Sequence, residues 1–310
     1  MTLLAEVVGA SREVVGTSSR SRKVAILAEL LRRLDADEVP IAVGLLSGVP
    51  RQGRVGVGYS TIYGVDHARA VEPILTVGNL DRALVVVSEA TGPGSAARRK
   101  QILGDVLGRA TDEEARFLKR LLTGELRQGA LAGLMVDAIA EAAWVSGALV
   151  RRALMLSGDL TRTAEMALAE GEQGLRRVRL ELFRPIFPML ASTAESVGEA
   201  VAGFERASVE WKLDGIRIQI HRRRDEVRIY TRNLNEITHA LPGIVDAVLG
   251  LAVERAVLDG EALWMGEGGP AAFQETVAQI DSNAPPEGVV TFLFDVLHVE
   301  GDDLLDTPLE

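Results

Sequence analysis

The stretch EWKLDGIRIQIHR, residues 210–222, alternates apolar and polar residues on both sides of Asp214-Gly215. Period two marks a strand with one buried face, and Asp-Gly is a strong short hairpin signal. The spacing predicts a two-residue hairpin in which Leu213 pairs with Ile216 and Lys212 lies opposite Arg217. Val209, Trp211, Leu213, Ile216, Ile218 and Ile220 then fall on the apolar face. Glu210, Lys212, Arg217, Gln219 and His221 fall on the other. Ordinarily a lysine there is a solvated strand residue with Glu210 as its ion-pair partner. The same face also suits chemistry, because a neighbouring Arg217 favours the neutral, nucleophilic amine and can hold a phosphate under attack.

Outward from this hairpin the pattern stays extended. SVEWKL (208–213), IRIQIHR (216–222), EVRIYTR (226–232), AVLDGEALW (256–264) and VVTFLFDVL (289–297) read as strands. LPGIVDAVLGLA (241–252) reads as a helix among them, and TAESVGEAVAGF (193–204) as a helix before them. Short turns make the sheet mainly antiparallel. The basic run from His221 to Arg224 reads by default as a solvated strand end.

Before residue 185 the sequence is helical. SRKVAILAELLRRL (21–34) spaces Val24, Leu27, Leu30, Leu31 and Leu34 along one helix face. ATDEEARFLKRLLTG (110–124) opens on a Thr111/Glu114 capping box and closes at Gly124. Further helices follow over residues 128–147 and 147–158, and Asp159 opens another. RVGVGYSTI (54–62) is the clearest extended candidate here, while ALVVVSEA (83–90) fits helix or strand. GVGYS holds a G-x-G without the third glycine that a nucleotide loop needs. Pro185 and Pro188 interrupt any helix and suggest an extended linker. The expected architecture is therefore multi-domain: an all-α domain over 1–185, then an α+β, mainly antiparallel domain over 186–310.

Composition bounds what such a chain does. Hydrophobic residues make up 47% and charged residues 25%, a soluble globular mix. The absence of cysteine excludes disulfides and thiolate metal sites. The N-terminus lacks the basic leader of a signal peptide, and no run reaches the roughly 18 apolar residues of a membrane span. Net charge is −10, which argues against nucleic acid until its distribution is considered. Residues 1–185 carry +3 and residues 186–310 carry −13, so only local patches can meet a phosphate backbone.

KLDGIR resembles the K-x-D-G-x-R motif of covalent nucleotidyltransferases: DNA ligases, RNA ligases and mRNA capping enzymes. Four fixed positions arise by chance in roughly two per thousand chains of this length. Companions follow in order. TRNLNE (231–236) resembles the S-R-N-x-E motif of ATP-dependent DNA ligases, LDGEAL (258–263) their L-D-G-E strand, and TFLFDVLHVEG (291–301) the strand whose aromatic residue stacks on the base. RLLTGELRQG (120–129) resembles the signature of their DNA-binding domain, and FRPIFPMLA (183–191) the segment leading into catalysis. The resemblance is to the actinobacterial and archaeal type of ATP-dependent DNA ligase. It implies that 1–185 is a helical DNA-binding domain and 186–310 the first part of an adenylation domain.

The resemblance also implies roles. Lys212 attacks the α-phosphate of ATP, and the AMP passes to the 5′-phosphate of a nick before a 3′-hydroxyl displaces it. Glu210 reads the adenine amino group, Arg217 and Arg232 contact ribose and phosphate, and Phe294 stacks on the base. Glu261 lies near the ribose and Mg²⁺, and Asp295 supports the strand or a metal-bound water. Without the family, Phe294 would be core and Asp259-Gly260 a turn. Arg98, Arg99 and Lys100 start a helix after a TGPGS loop and, with Arg127, face duplex DNA; each is otherwise a solvated or helix-end cation. The protein is expected to act as a cytoplasmic, nucleoid-associated monomer without a membrane partner. Two departures stand out. Asn235 occupies the usual Glu position, with Glu236 one residue later, and the later E-G and K-x-K strands and the OB-fold domain are missing. The chain therefore reads as the front part of a ligase. The alternatives are an inactive DNA-binding fragment or a GTP-using capping enzyme or RNA ligase. The helical N-terminal part argues against the latter pair, and no segment matches the dinucleotide-reading part of an NAD⁺-dependent ligase.

Overall fold

A computed structural model describes residues 1–53, 55–64, 69–126, 131–188, 193–266, 269–270, 273–280 and 288–308. The chain divides into two compact units, Met1–Val178 and Arg179–Glu310.

Among the described residues the first unit is built from helices: α1 (Leu4–Gly16), α2 (Arg20–Arg33), α3 (Val39–Leu46), α4 (Tyr59–Tyr63), α5 (Val77–Glu89), α6 (Ser95–Gly108), α7 (Asp112–Leu122), α8 (Leu131–Ala143), α9 (Gly147–Ser157) and α10 (Leu160–Arg176). Their starts are written in the sequence. Ser19, Thr76, Thr111, Ser146 and Asp159 each accept a backbone N–H of the turn that follows. Thr111 and Glu114 form the expected capping box. One apolar core runs through the bundle and includes Leu27, Leu30 and Leu31 of α2 and Met135 and Ile139 of α8. α10 bends at Gly171, whose φ of 59° leaves the helical range.

One expectation in this unit fails and one open reading is decided. Val55–Gly58 form no strand, and α4 takes the end of RVGVGYSTI; Gly56 sits at φ +65°, and among the described residues no strand of this unit runs alongside to pair with it. ALVVVSEA belongs to α5 despite its β-branched run, because Leu80, Leu84 and Val87 recur on the face that the core covers.

The second unit holds α11 (Val197–Val201), β1 (Ile216–Arg223), β2 (Glu226–Thr231), α12 (Pro242–Leu249), β3 (Arg255–Gly266), β4 (Gly269–Pro270), α13 (Phe273–Ile280), β5 (Val289–Val299) and β6 (Asp302–Asp303). The strands form an antiparallel sheet in the order β2-β1-β3-β5-β6, with β4 on the far end of β3. Ile218 and Ile220 of β1, Ile229 of β2 and Leu258 and Ala262 of β3 share one face, and α12 covers it with Ile244 and Val248. The helix expected over 193–204 shrinks to the five residues of α11. None of those residues is buried, and so short a helix has little to hold it.

The decisive hairpin is also placed differently. Residues 207–214 form no strand, so Lys212 does not pair with Arg217. Val209 and Trp211 are exposed, whereas Ile216, Ile218 and Ile220 keep their place on or beside the core. The tight hairpin is instead the Arg224-Asp225 turn between β1 and β2, with Arg223 opposite Glu226 and Arg224 at φ +56°. Asp214 and Gly215 do not adopt the positive φ of a type I′ turn. Gly215 serves a different purpose: a Cβ there would lie 2.3 Å from the Ala262 carbonyl oxygen of β3. The glycine lets the chain press against β3 as it enters β1.

Candidate active site

The face of the sheet away from α12 is polar, and period two sets it. Arg217, Gln219 and His221 of β1 lie beside Asp259 and Glu261 of β3 and Tyr230 of β2. Arg217 lies opposite Glu261, but its guanidinium makes a two-pronged pair with Asp259, its Nε donating at 3.0 Å. Asp259 is buried at 4% exposure, so this fork fixes Arg217 and holds it charged. The Arg217 guanidinium carbon sits 5.7 Å from the centre of the Phe294 ring. Phe294 is half-buried on β5, at a register shift between the Asp259–Asp295 and Gly260–Leu293 pairs. Gly260 permits that shift, since a Cβ there would meet the Phe292 carbonyl oxygen at 2.6 Å.

Glu261 connects this face to the lysine loop. Its Oε1 accepts the Gly215 N–H at 3.1 Å, one step from Asp214 and three from Lys212. Burial pushes the Glu261 carboxyl above its ordinary 4.5, against the pull of that N–H and of the Lys212 and Arg217 charges. Lys212 is exposed, with its Nζ 3.5 Å from Asp214 Oδ1. Its amine is presented to solvent at the edge of the polar face rather than set against Arg217. Glu210 is exposed on the same loop and accepts from the Ser208 hydroxyl.

A small pocket opens beside Arg217, lined by Ile186, Pro188, Gln219, Thr231, Arg232, Leu234 and Asp259. It brings together Arg217 and Arg232, which the sequence separates by fifteen residues. Asp295 faces Asp259 across β3 and β5, and its Oδ1 accepts the Val296 N–H. Only the second half of the run from His221 to Arg224 is a solvated strand end, since Arg223 and Arg224 are exposed. His221 is fully buried, and Arg222, 8% exposed, donates to the carbonyl oxygens of Val248 and Leu251.

In the first unit Arg98 and Lys100 are exposed at the start of α6. Arg99 is turned inward, its guanidinium donating to the carbonyl oxygens of Gly56, Val87 and Ala90. Arg127 lies outside the described residues.

Sequence reasoning missed Asp259 as the partner of Arg217. Its signal was available, because Asp259 and Glu261 are two apart and must share a strand face. The walls from Ile186, Pro188 and Leu234 gave no such signal, since they come from non-repeating segments. Among the described residues no three His, Asp or Glu side chains form a metal cage, and no helix is long and apolar enough to cross a membrane.

Two family profiles match the chain: the DNA ligase N terminus over residues 54–140, and the ATP dependent DNA ligase domain over residues 188–310. The second contains the whole lysine loop and the polar sheet face. A probable DNA ligase of Saccharopolyspora erythraea is 50% identical across all of this chain, which spans 61% of that protein. Another, from Streptomyces avermitilis, is 47% identical over 99% of the chain and is again spanned to 61%. The chain thus covers about three-fifths of the length of these relatives. With both profiles in order along it and the K-x-D-G-x-R loop set at the edge of the matching sheet, the chain belongs to the ATP-dependent DNA ligase family.

Proposed function

We propose that the protein seals 5′-phosphate/3′-hydroxyl nicks in duplex DNA at the expense of ATP, with Lys212 as its nucleophile. The observation that carries this reading is the lysine loop itself. It is pinned to β3 through Gly215 and Glu261, and it holds an accessible amine whose charge acts on Glu261, on the sheet that carries the Arg217, Asp259 and Phe294 cluster. Lys212 is also the one lysine in the second unit.

Three displacements make up the reaction. The unprotonated Nζ of Lys212 attacks the α-phosphorus, an N–P bond forms, the bond to the bridging oxygen breaks, and pyrophosphate leaves. The amine's proton goes to solvent, to which it is open. An oxygen of the nick's 5′-phosphate then attacks the same phosphorus and releases the lysine. Finally the 3′-hydroxyl attacks the 5′-phosphate and expels AMP. Arg217 and Arg232 line the pocket where ribose and phosphates bind, Phe294 offers a ring to the base, and Glu210 accepts from its amino group. Mg²⁺ fits the donor set, because it takes one or two carboxylates with substrate phosphates, and Glu261 is a half-buried carboxylate here. Held there, the ion would offset charge on the departing pyrophosphate.

The unit ahead of this one, with the linker to residue 185, acts in this reading as a helical DNA-binding domain. Arg98 and Lys100 meet backbone phosphates, Arg99 braces α6 behind them, and Arg127 adds a further contact. The enzyme acts as a monomer in the cytoplasm, at the nucleoid. Incubation with α-labelled ATP and Mg²⁺, followed by a denaturing gel, tests the first displacement. Label is expected from ATP and absent in Lys212→Ala; label from GTP, or label that survives the substitution, contradicts it.

A further inference from the structure

The segment Phe183–Pro188 lies on the polar face of β1 and β2 within the second unit, and side chains grip its backbone. The Phe183 N–H donates to His221 Nδ1 at 2.9 Å, and its carbonyl oxygen accepts from the Tyr230 hydroxyl at 3.1 Å. Ile186 donates its N–H to Gln219 Oε1 at 2.8 Å, and its carbonyl oxygen accepts from Gln219 Nε2 at 3.4 Å. The two grips are joined, since His221 Nε2 lies 2.9 Å from Gln219 Oε1. An amide N–H only donates, so His221 Nδ1 must be the bare nitrogen and Nε2 must carry the hydrogen given to Gln219.

This grip is firm enough to sustain strain. Phe183 sits at φ +68°, rare for a bulky residue, and the guanidinium carbons of Arg223 and Arg228 lie 4.7 and 4.9 Å from its ring centre. His221 is fully buried and Gln219 is 7% exposed. Beyond the grip, Ile186 and Pro188 form one wall of the pocket whose other walls include Arg217, Arg232 and Asp259. His221 is not among the residues lining that pocket.

We propose that His221 is a positioning residue, which acts through Gln219 and Phe183 to set the Ile186–Pro188 wall of the nucleotide pocket. The inference rests on the ligase reading for the identity of the nucleotide, though not for the clamp. Removing the imidazole leaves the Phe183 N–H without an acceptor and Gln219 without its orienting donor, so the wall loosens while the Lys212 loop keeps its own anchor on Glu261.

The test compares His221→Leu, which is apolar, with His221→Asn, whose carbonyl oxygen can stand where Nδ1 stands. In the complete protein, His221→Leu is expected to raise the KM for ATP in lysyl-AMP formation about tenfold. The rate at saturating ATP should change by less than about threefold. Hydrogen exchange at the Phe183 and Ile186 amides should quicken in His221→Leu, and both effects should shrink in His221→Asn. An unchanged KM with quickened exchange overturns the proposal, as does an equal loss in both variants. If the wild-type protein takes no label from ATP, the ligase reading fails instead. The clamp is then judged on ATP binding by calorimetry and amide exchange, where a wild-type affinity in His221→Leu overturns it.

Discussion

Gly215 sits in a motif that reads as a turn, yet it acts by being narrow. Its missing side chain makes room for the Ala262 carbonyl oxygen and puts its N–H within reach of Glu261. A methyl group there meets backbone on a central strand, which cannot swing aside as a flexible side chain would. Gly215→Ala is therefore expected to destabilise the second unit by about 2 kcal/mol, in the range for overpacking, and to disturb Lys212 with it. Urea unfolding followed through the second unit checks this; a cost below about 0.5 kcal/mol would mean that the close approach is not real. The two residues that flank this loop in function, Arg217 and Asp259, show the same economy. Each is legible as a strand residue on a known face, but their pairing is visible only once β1 and β3 are neighbours.

At the scale of elements, caps and faces were legible and partners were not. The Thr111/Glu114 box, the Asp159 cap and the Ile218/Ile220 core face appear in the sequence because each depends on residues within a turn or two. Thr111→Ala removes the hydroxyl that accepts the Glu114 N–H and should cost about 1 kcal/mol, read as a lower melting temperature of the first unit. The 208–213 strand was wrong because alternation says that a segment suits a strand, not that a neighbour is there to pair with it. The short α11 failed for a similar reason, as its residues find nothing to pack against.

The clamp on the Phe183 segment carries a pH signature. Burial, with a smaller push from His298, lowers the His221 pKa from its ordinary 6.5 to about 4. The groups around it are Gln219 and Arg223 on β1, Arg228 and Tyr230 on β2, and His298 on β5, itself bonded to Asp303 of β6. As pH falls below 6.5 the unfolded chain takes up the proton first. The stabilisation from the neutral imidazole is thus full above 6.5 and is lost between 6.5 and about 4. Between pH 7 and 5 the loss should be about 2 kcal/mol. His221→Asn should flatten that part of the profile; an unchanged slope would place the titration elsewhere.

Across the whole molecule, charge and chemistry are divided. All of the acidic excess lies after residue 185, so in the proposed reading the second unit brings a nucleophile and a nucleotide pocket but little general attraction for DNA. In the proposed division of labour the first unit supplies that attraction locally. Arg98→Ala and Lys100→Ala should each weaken duplex binding and lower the salt slope by about one. Measurement of affinity against salt concentration checks this, and an unchanged slope would remove α6 from the interface. The order of motifs was legible along the whole chain because each is a short local pattern. The pocket was not, because its walls come from residues 186–188, 217–219, 231–234 and 259. In the proposed reaction Lys212 accepts AMP. The chain has four lysines, Lys23, Lys100, Lys119 and Lys212, so peptide mapping by mass spectrometry after incubation with ATP and Mg²⁺ resolves the acceptor without ambiguity. The expected result is AMP on the peptide containing Lys212 and on no other, released again by nicked duplex DNA. AMP on Lys23, Lys100 or Lys119, or an adduct that persists in Lys212→Ala, would contradict the account.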